Sequence, residues 1–309
     1  MTTTTTTTSP PPHAVEPSPR PNPTTTPPAP PPTTPPTPAP ARSKATGAPA
    51  VTEAGVTWTR ALPKLDGEPV RTRWFDLGKS QAQVAIRLRG ITTFDGPSGT
   101  GKTTTAVSLA RESPMRFAYL QLRHRAGTNE VAEAIYQALH NGHRLGSRAS
   151  KRHYIDESTD SLCSGRIGLI ADEVHYIGVP GMILLAQMWE SVRMYTGQGF
   201  PLFLIGSEVN GAISSAPELD TRVIARASFH FLEGDDLLAA INTMDSRCAA
   251  TPDQRLLDID KACCRGRLRL WRTFIRIVNL NPATAATEIS RDEARAFLLT
   301  QGKDVPGLQ

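Results

Sequence analysis

Residues 96–103 read Gly96-Pro97-Ser98-Gly99-Thr100-Gly101-Lys102-Thr103, a spacing of residue types suited to holding a polyphosphate. Glycines let backbone N–H groups turn inward around phosphate oxygens with no Cβ in the way. A helix starting at the lysine adds the positive end of its dipole. Lys102 then reaches the β- and γ-phosphates as a point charge, the Thr103 hydroxyl ligates Mg²⁺, and Thr104 belongs with residues 96–103 to the expected nucleotide-binding set. A chance match to the full pattern has an expectation of about 0.01 in a chain of this length.

Seventy residues after Lys102, the apolar run Ile167-Gly168-Leu169-Ile170-Ala171 meets Asp172-Glu173. On its own, an acid pair at a strand end reads as solvated surface. Behind a phosphate loop it reads as chemistry: Asp172 holds the Mg²⁺ shell and Glu173 polarises an attacking water. Both carboxylates then stand at the C-terminal edge of a parallel sheet, where such folds bind ligands. His175, two positions further on, reads most simply as a polar residue after the strand.

The elements that must position these groups follow from periodicity. Residues 84–88 alternate toward Gly90, and 91–94 form a strand ending at Asp95-Gly96. A helix over 102–111 presents Ala106, Leu109 and Ala110 on one side, and residues 116–122 alternate as a second strand. Thr128 reads as the N-cap of a helix reaching His140, with Val131, Ile135 and Leu139 at spacing four; residues 141–153 are a polar, basic loop. Residues 154–163 read weakly as helix, 167–171 as strand, 181–195 as helix, 201–205 as strand and Phe229-His230-Phe231-Leu232 as a fifth strand. Beyond it, 235–245, 253–264, 267–280 and 290–300 read as helices, with Pro282 as a break. Alternating strands and helices imply a mainly parallel sheet covered on both faces, followed by a small helical lid.

Seventeen of the 27 prolines fall in residues 1–50, which hold no Leu, Ile, Phe, Trp or Tyr. Such a segment cannot offset its ordering entropy and is expected to be a disordered, polyproline-like spacer. The expected organisation is a tail over 1–50, an α/β domain over 51–233 and a lid over 234–309. No basic start precedes an apolar stretch, and no apolar run reaches membrane-spanning length, so a cytoplasmic protein is expected. Cys163, Cys248, Cys263 and Cys264 lack metal-ligand spacing. Arg20, Arg42 and Lys44 against Glu16 give the tail +2 of the formal +5, which leaves a folded part too weakly basic for charge alone to imply nucleic acid.

The segments GPSGTGKT, LIADEVHYIG and FLIGSEVN, in that order, resemble the Walker A, Walker B and sensor 1 motifs of AAA+ ATPases. Over residues 85–300 the arrangement is most similar to the ATP-dependent target-selection proteins of transposition, the phage Mu B and TniB type, with origin-recognition and secretion ATPases next. The resemblance implies a five-stranded parallel P-loop NTPase sheet, ATP rather than GTP, and ATP-dependent homo-oligomers. It places Ser207 at sensor 1, Arg222 or Arg226 as an arginine finger just before the fifth strand, and Arg269, in ambiguous register with Arg267, at sensor 2. Ser207 is shorter than the Asn or Thr that many such proteins carry. It also implies a transposase or integrase partner.

Arg144, Arg148, Lys151 and Arg152 cluster between residues 141 and 153, where a flexible cationic loop suits salt-sensitive phosphate contacts with DNA or is simply solvated. Arg123, His124 and Arg125 could join that face. Arg265, Arg269, Arg272 and Arg276 form a stripe that suits nucleotide, DNA or a neighbouring subunit equally. The leading reading is an ATP-hydrolysing, DNA-binding regulator of transposition. The alternatives are a non-hydrolytic ATP switch that recruits a protein partner and, lower, a small-molecule kinase. No Asn-Lys-x-Asp guanine signature occurs.

Overall fold

A computed structural model describes residues 62–302 except 147 and 281–286. The proline-rich tail and Pro282 lie outside the described residues. The elements in order are α1 (Arg73–Leu88), β1 (Ile91–Asp95), α2 (Lys102–Glu112), β2 (Arg116–Gln121), α3 (Thr128–Leu139), α4 (Lys151–Cys163) and β3 (Ile167–Asp172). A 3₁₀ turn (Val174–Tyr176) leads into α5 (Gly178–Thr196), β4 (Leu202–Gly206), α6 (Val209–Ser214), α7 (Pro217–Asp220) and β5 (Val223–Ser228). Then come α8 (Gly234–Asn242), α9 (Ser246–Ala250), α10 (Asp253–Ile259), a π-helical turn (Asp260–Cys264), α11 (Leu268–Val278) and α12 (Arg291–Thr300).

All pairings in the sheet are parallel, in the order β2-β3-β4-β1-β5. Register brings Asp95 opposite Gly206, and Asp172 between Gln121 and Ile205, so these strand ends share one edge. One face packs Phe94, Phe117, Ile170 and Phe203 under α1 and α2. The other packs Leu120, Leu169, Ala171 and Leu204 under α3 to α6. Strands buried on both faces explain the apolar runs that made them legible. Two buried hydroxyls in β1 are satisfied: Thr92 donates to the Ala225 carbonyl at 3.0 Å and Thr93 to Asn210 Oδ1 at 2.8 Å.

Three expectations need correction. Residues 84–88 are not extended; they end α1, whose buried Phe75, Gly78, Ala82 and Ala85 recur at helical spacing from Thr72, the capping residue. The fifth strand is Val223–Ser228, not 229–232. There Ala225 and Ala227 face inward while Arg226 and Ser228 are exposed, a one-sided edge strand too polar to read as buried. Phe229 leaves the strand, donating its N–H to the Asp95 carbonyl at 2.7 Å, and its ring packs on Phe94. Arg226 therefore lies within the fifth strand, and only Arg222 precedes it. Lastly, Lys151 and Arg152 belong to the first turn of α4, capped by Ser150, rather than to a loop.

The C-terminal helices gather around their own cluster, where Trp271, Phe274 and Phe297 meet edge to face. Asp260 holds the bend before α11: its carboxylate accepts the Trp271 indole N–H at 2.7 Å and the Gly266 N–H at 2.9 Å. Gly266 has φ +70°, and a Cβ there would lie 2.4 Å from the Leu232 carbonyl oxygen, so the bend admits only glycine. Asp260→Ala would leave both donors without that acceptor. It should destabilise the protein by about 2–4 kcal/mol, read from urea unfolding followed by tryptophan fluorescence. Among the described residues no helix is long and apolar enough to cross a membrane.

Candidate functional site

Between β1 and α2 the chain wraps a tight loop. Gly96 has φ +139°, and a Cβ there would lie 2.1 Å from the Phe229 carbonyl oxygen. Gly99 and Gly101 also have positive φ, at +88° and +99°, a backbone region that favours a residue without a Cβ. No side chain caps α2 at its start, so its first N–H groups are offered to an anion. Lys102 is 8% exposed, and its ammonium donates to the carbonyls of Gly96 at 2.6 Å and Pro97 at 2.8 Å. Burial lowers its pKa; Glu173, Asp172 and Asp95 push the other way, while Arg269 adds to the lowering.

Asp172 closes the floor. Its Oδ2 accepts from the Thr103 hydroxyl at 2.9 Å and from the Tyr119 phenol at 2.7 Å, and its Oδ1 accepts the Glu173 N–H at 2.9 Å. Burial, and then the Asp172 carboxylate, raise the Tyr119 pKa, so the phenol stays protonated and donates. Glu173 leaves the strand in the left-handed region, φ 59°, a conformation costing on the order of 1–2 kcal/mol in a non-glycine residue. From this position Glu173 is among the residues that line the cavity above the loop.

A cavity of about 260 Å³ joins these groups. Residues 98–104, Asp172, Glu173 and Ser207 line one side of it; Leu268, Arg269, Arg272, Thr273 and Arg276 line the other. Of Arg267 and Arg269, only Arg269 lines this cavity. Arg269 donates its backbone N–H to the Gly99 carbonyl at 3.4 Å and its guanidinium to Ser98 Oγ at 3.3 Å, whereas Arg267 stacks over Phe231. The arginine stripe thus turns three members, Arg269, Arg272 and Arg276, to this cavity.

Sequence reasoning missed several contributors. Asp66, Val70, Thr72 and Phe75 also line the cavity. Their segment is tied to α11 by Arg272 donating to the Glu68 carbonyl at 2.7 Å and by Arg276 paired with Asp66 at 2.8 Å. No local motif marks it. Tyr119 carried a weak signal, as the half-buried polar aromatic between buried Ala118 and Leu120 of β2.

Other candidates lie elsewhere. Arg222 pairs with Glu190 at 3.2 Å and Arg226 with Asp220 at 2.7 Å, and neither lines the cavity. Arg144, Arg148, Lys151 and Arg152 are exposed; Arg144 lies 3.7 Å from Glu133 and Arg152 3.6 Å from Asp156.

A hydroxyl and a carboxylate converging within 2.9 Å fit Mg²⁺, which takes one or two protein oxygens and draws the rest from phosphates and water. Among the described residues no group of three or more His, Cys, Asp or Glu is placed to form an all-protein metal cage.

The family model described as an AAA domain matches residues 86–210. No curated protein shows a significant sequence match. Among solved structures, the Aeropyrum pernix Orc1 protein, in a complex with DNA, is similar at TM-score 0.57 and 17% identity, over 75% of this chain and 66% of that one. Cdc6p from Pyrobaculum aerophilum is similar at TM-score 0.59 and 14% identity, over 77% and 69%. A variant of Thermotoga maritima RuvB reaches TM-score 0.50 at 17% identity, over 75% and 69%. The chain spans just under two thirds of the Orc1 chain. Its parallel five-stranded sheet with flanking helices is the AAA+ form of the P-loop NTPase fold, with a helical C-terminal region.

Proposed function

We propose that this protein binds and hydrolyses ATP, binds DNA without reading its sequence, and acts as an ATP-dependent oligomer in selecting targets for transposition. The observation that carries the nucleotide part is the contact of Thr103 with Asp172 on the floor of a cavity that also holds Lys102, Glu173, Ser207 and Arg269. In this reading residues 51–233 are the nucleotide-binding part, 234–309 its lid, and 1–50 a spacer.

The loop amides of 96–104 and the Lys102 ammonium bind the β- and γ-phosphates, exchanging the Gly96 and Pro97 carbonyls for phosphate oxygens. Thr103 and Asp172 hold Mg²⁺, which when bound neutralises charge on the phosphate oxygens. Tyr119 and the Glu173 N–H fix the Asp172 carboxylate in place. Glu173 orients a water and accepts its proton, and Ser207 steadies that water beside the γ-phosphate. Arg269 brings positive charge from the lid, while Arg222 or Arg226 reaches a neighbouring copy's nucleotide.

DNA binding is supported by the cationic stretch 144–152 and by the DNA complex of the structurally similar Orc1. It is tested by ATP turnover with and without duplex DNA, where stimulation is expected. Replacing Arg144, Arg148, Lys151 and Arg152 together by Ala should flatten the salt dependence of DNA affinity, each lost phosphate contact removing about 0.9 from the slope of log K against log salt. An unchanged slope in anisotropy titrations removes this stretch from the DNA surface. A transposase or integrase partner belongs to the same proposal, and ATP-dependent pull-down of a purified transposase tests it.

A second reading, an ATP switch that recruits a protein without useful hydrolysis, draws on the short Ser207 side chain, whose backbone N–H is engaged by His175.

A further inference from the structure

His175 stands beside the cavity, and one of its ring atoms meets two groups with opposite demands. Its Nδ1 lies 3.4 Å from Glu173 Oε2 and 3.4 Å from the Ser207 backbone nitrogen. The Ser207 N–H donates, so Nδ1 must offer it a lone pair. The Glu173 carboxylate accepts, so Nδ1 must carry a proton to bond it. A single imidazole nitrogen does one or the other. Both contacts are long for hydrogen bonds, as expected of an atom between competing partners.

The juxtaposition is built by the fold. A Cβ on Gly206, the last residue of β4, would lie 2.9 Å from His175 Nδ1, so only glycine lets the ring approach the strand end. The ring packs against Tyr176 with centroids 4.0 Å apart, in the 3₁₀ turn that Glu173 starts in a left-handed conformation. The imidazole is seated rather than free in solvent, with 27% of its side chain exposed.

We propose that His175 is a positioning residue that exchanges one hydrogen bond between Glu173 and the Ser207 amide. With the proton on Nδ1, the ring donates to Glu173 and draws its carboxylate toward a group outside the cavity lining. With the proton on Nε2, Nδ1 accepts from Ser207 N–H, the end of β4 is held, and Glu173 is released to the nucleotide side. The two forms are neutral tautomers with equal numbers of protons, so the exchange needs no change of charge. It couples the water-orienting acid to the strand end beside the γ-phosphate. This rests on the reading of Glu173 as the acid that orients water.

The test uses the full-length chain. In ¹⁵N-histidine-labelled protein, with His175 assigned through His175→Asn, the ring nitrogens report the tautomer. Glu173→Gln, whose side-chain amide can donate to Nδ1, should shift the ring toward the Nε2–H form without any nucleotide. Adding AMP-PNP with Mg²⁺ to the unaltered chain should shift its populations too. An unmoved tautomer in the Gln variant overturns the proposal whether or not the protein hydrolyses ATP, whereas failure of AMP-PNP to bind overturns the nucleotide reading instead. In turnover, His175→Leu should lower kcat by roughly 10- to 100-fold with KM unchanged, through loss of positioning. His175→Asn, whose amide can present either N–H or C=O at the same place, should recover most of it. In the Glu173→Gln background His175→Leu should cost nothing further; an equal loss there, or an effect on KM alone, places His175 outside this coupling.

Discussion

Lys102→Ala should weaken ATP binding by at least about 100-fold, because two charge-assisted contacts to phosphate, each about 1.5–3 kcal/mol, vanish together. The side chain enters the loop at 8% exposure and already donates to two loop carbonyls, so its ammonium stands where phosphate oxygens would arrive. Truncation leaves those carbonyls beside solvent, so stability should change little and the lost affinity can be assigned to binding. Lys102→Arg should not restore it, since a planar fork does not fit a cradle shaped around a point charge. Because burial lowers the ammonium's pKa, wild-type affinity should start to decline at a less alkaline pH than for an exposed lysine, as the charged form is lost. Calorimetric titration of ATP with Mg²⁺ reads all three; unchanged affinity in the alanine variant moves the site elsewhere.

What the sequence made legible was what is local. The phosphate loop is eight contiguous residues, and its glycines are required at positions where φ is positive or a carbonyl presses close. Asp172 and Glu173 were legible because an apolar strand stops at them, and the fold then brings Thr103, in the first turn of α2, to Asp172 across 69 residues. The groups that escaped depend on pairings no short window contains. Tyr119 reaches Asp172 only because β2 and β3 are neighbours with Gln121 opposite Asp172. The strap at 66–75 closes the cavity through arginines more than two hundred residues away. The fifth strand was misplaced for another reason. An edge strand buries one face, so its arginine and serine hid it, while the more apolar Phe229 that follows serves as a plug.

Glu173→Gln should slow ATP hydrolysis by about 10²–10⁴-fold while leaving ATP bound, since an amide keeps the volume but cannot take a proton from water. The backbone argues that the effect will be local. Glu173 N–H bonds Asp172 Oδ1, and its backbone sits in the left-handed region; neither depends on the carboxylate. The contrast with Asp172→Asn is informative, because that change disturbs the acceptor shared by Thr103 and Tyr119 and should weaken nucleotide binding itself. Single-turnover measurements separate binding from chemistry. A bound but uncleaved nucleotide in the Gln variant, beside a turning-over wild type, assigns the proton acceptor to Glu173. Equal slow rates in both would favour the switch reading, in which ATP holds the protein in one state and a partner, not hydrolysis, ends it.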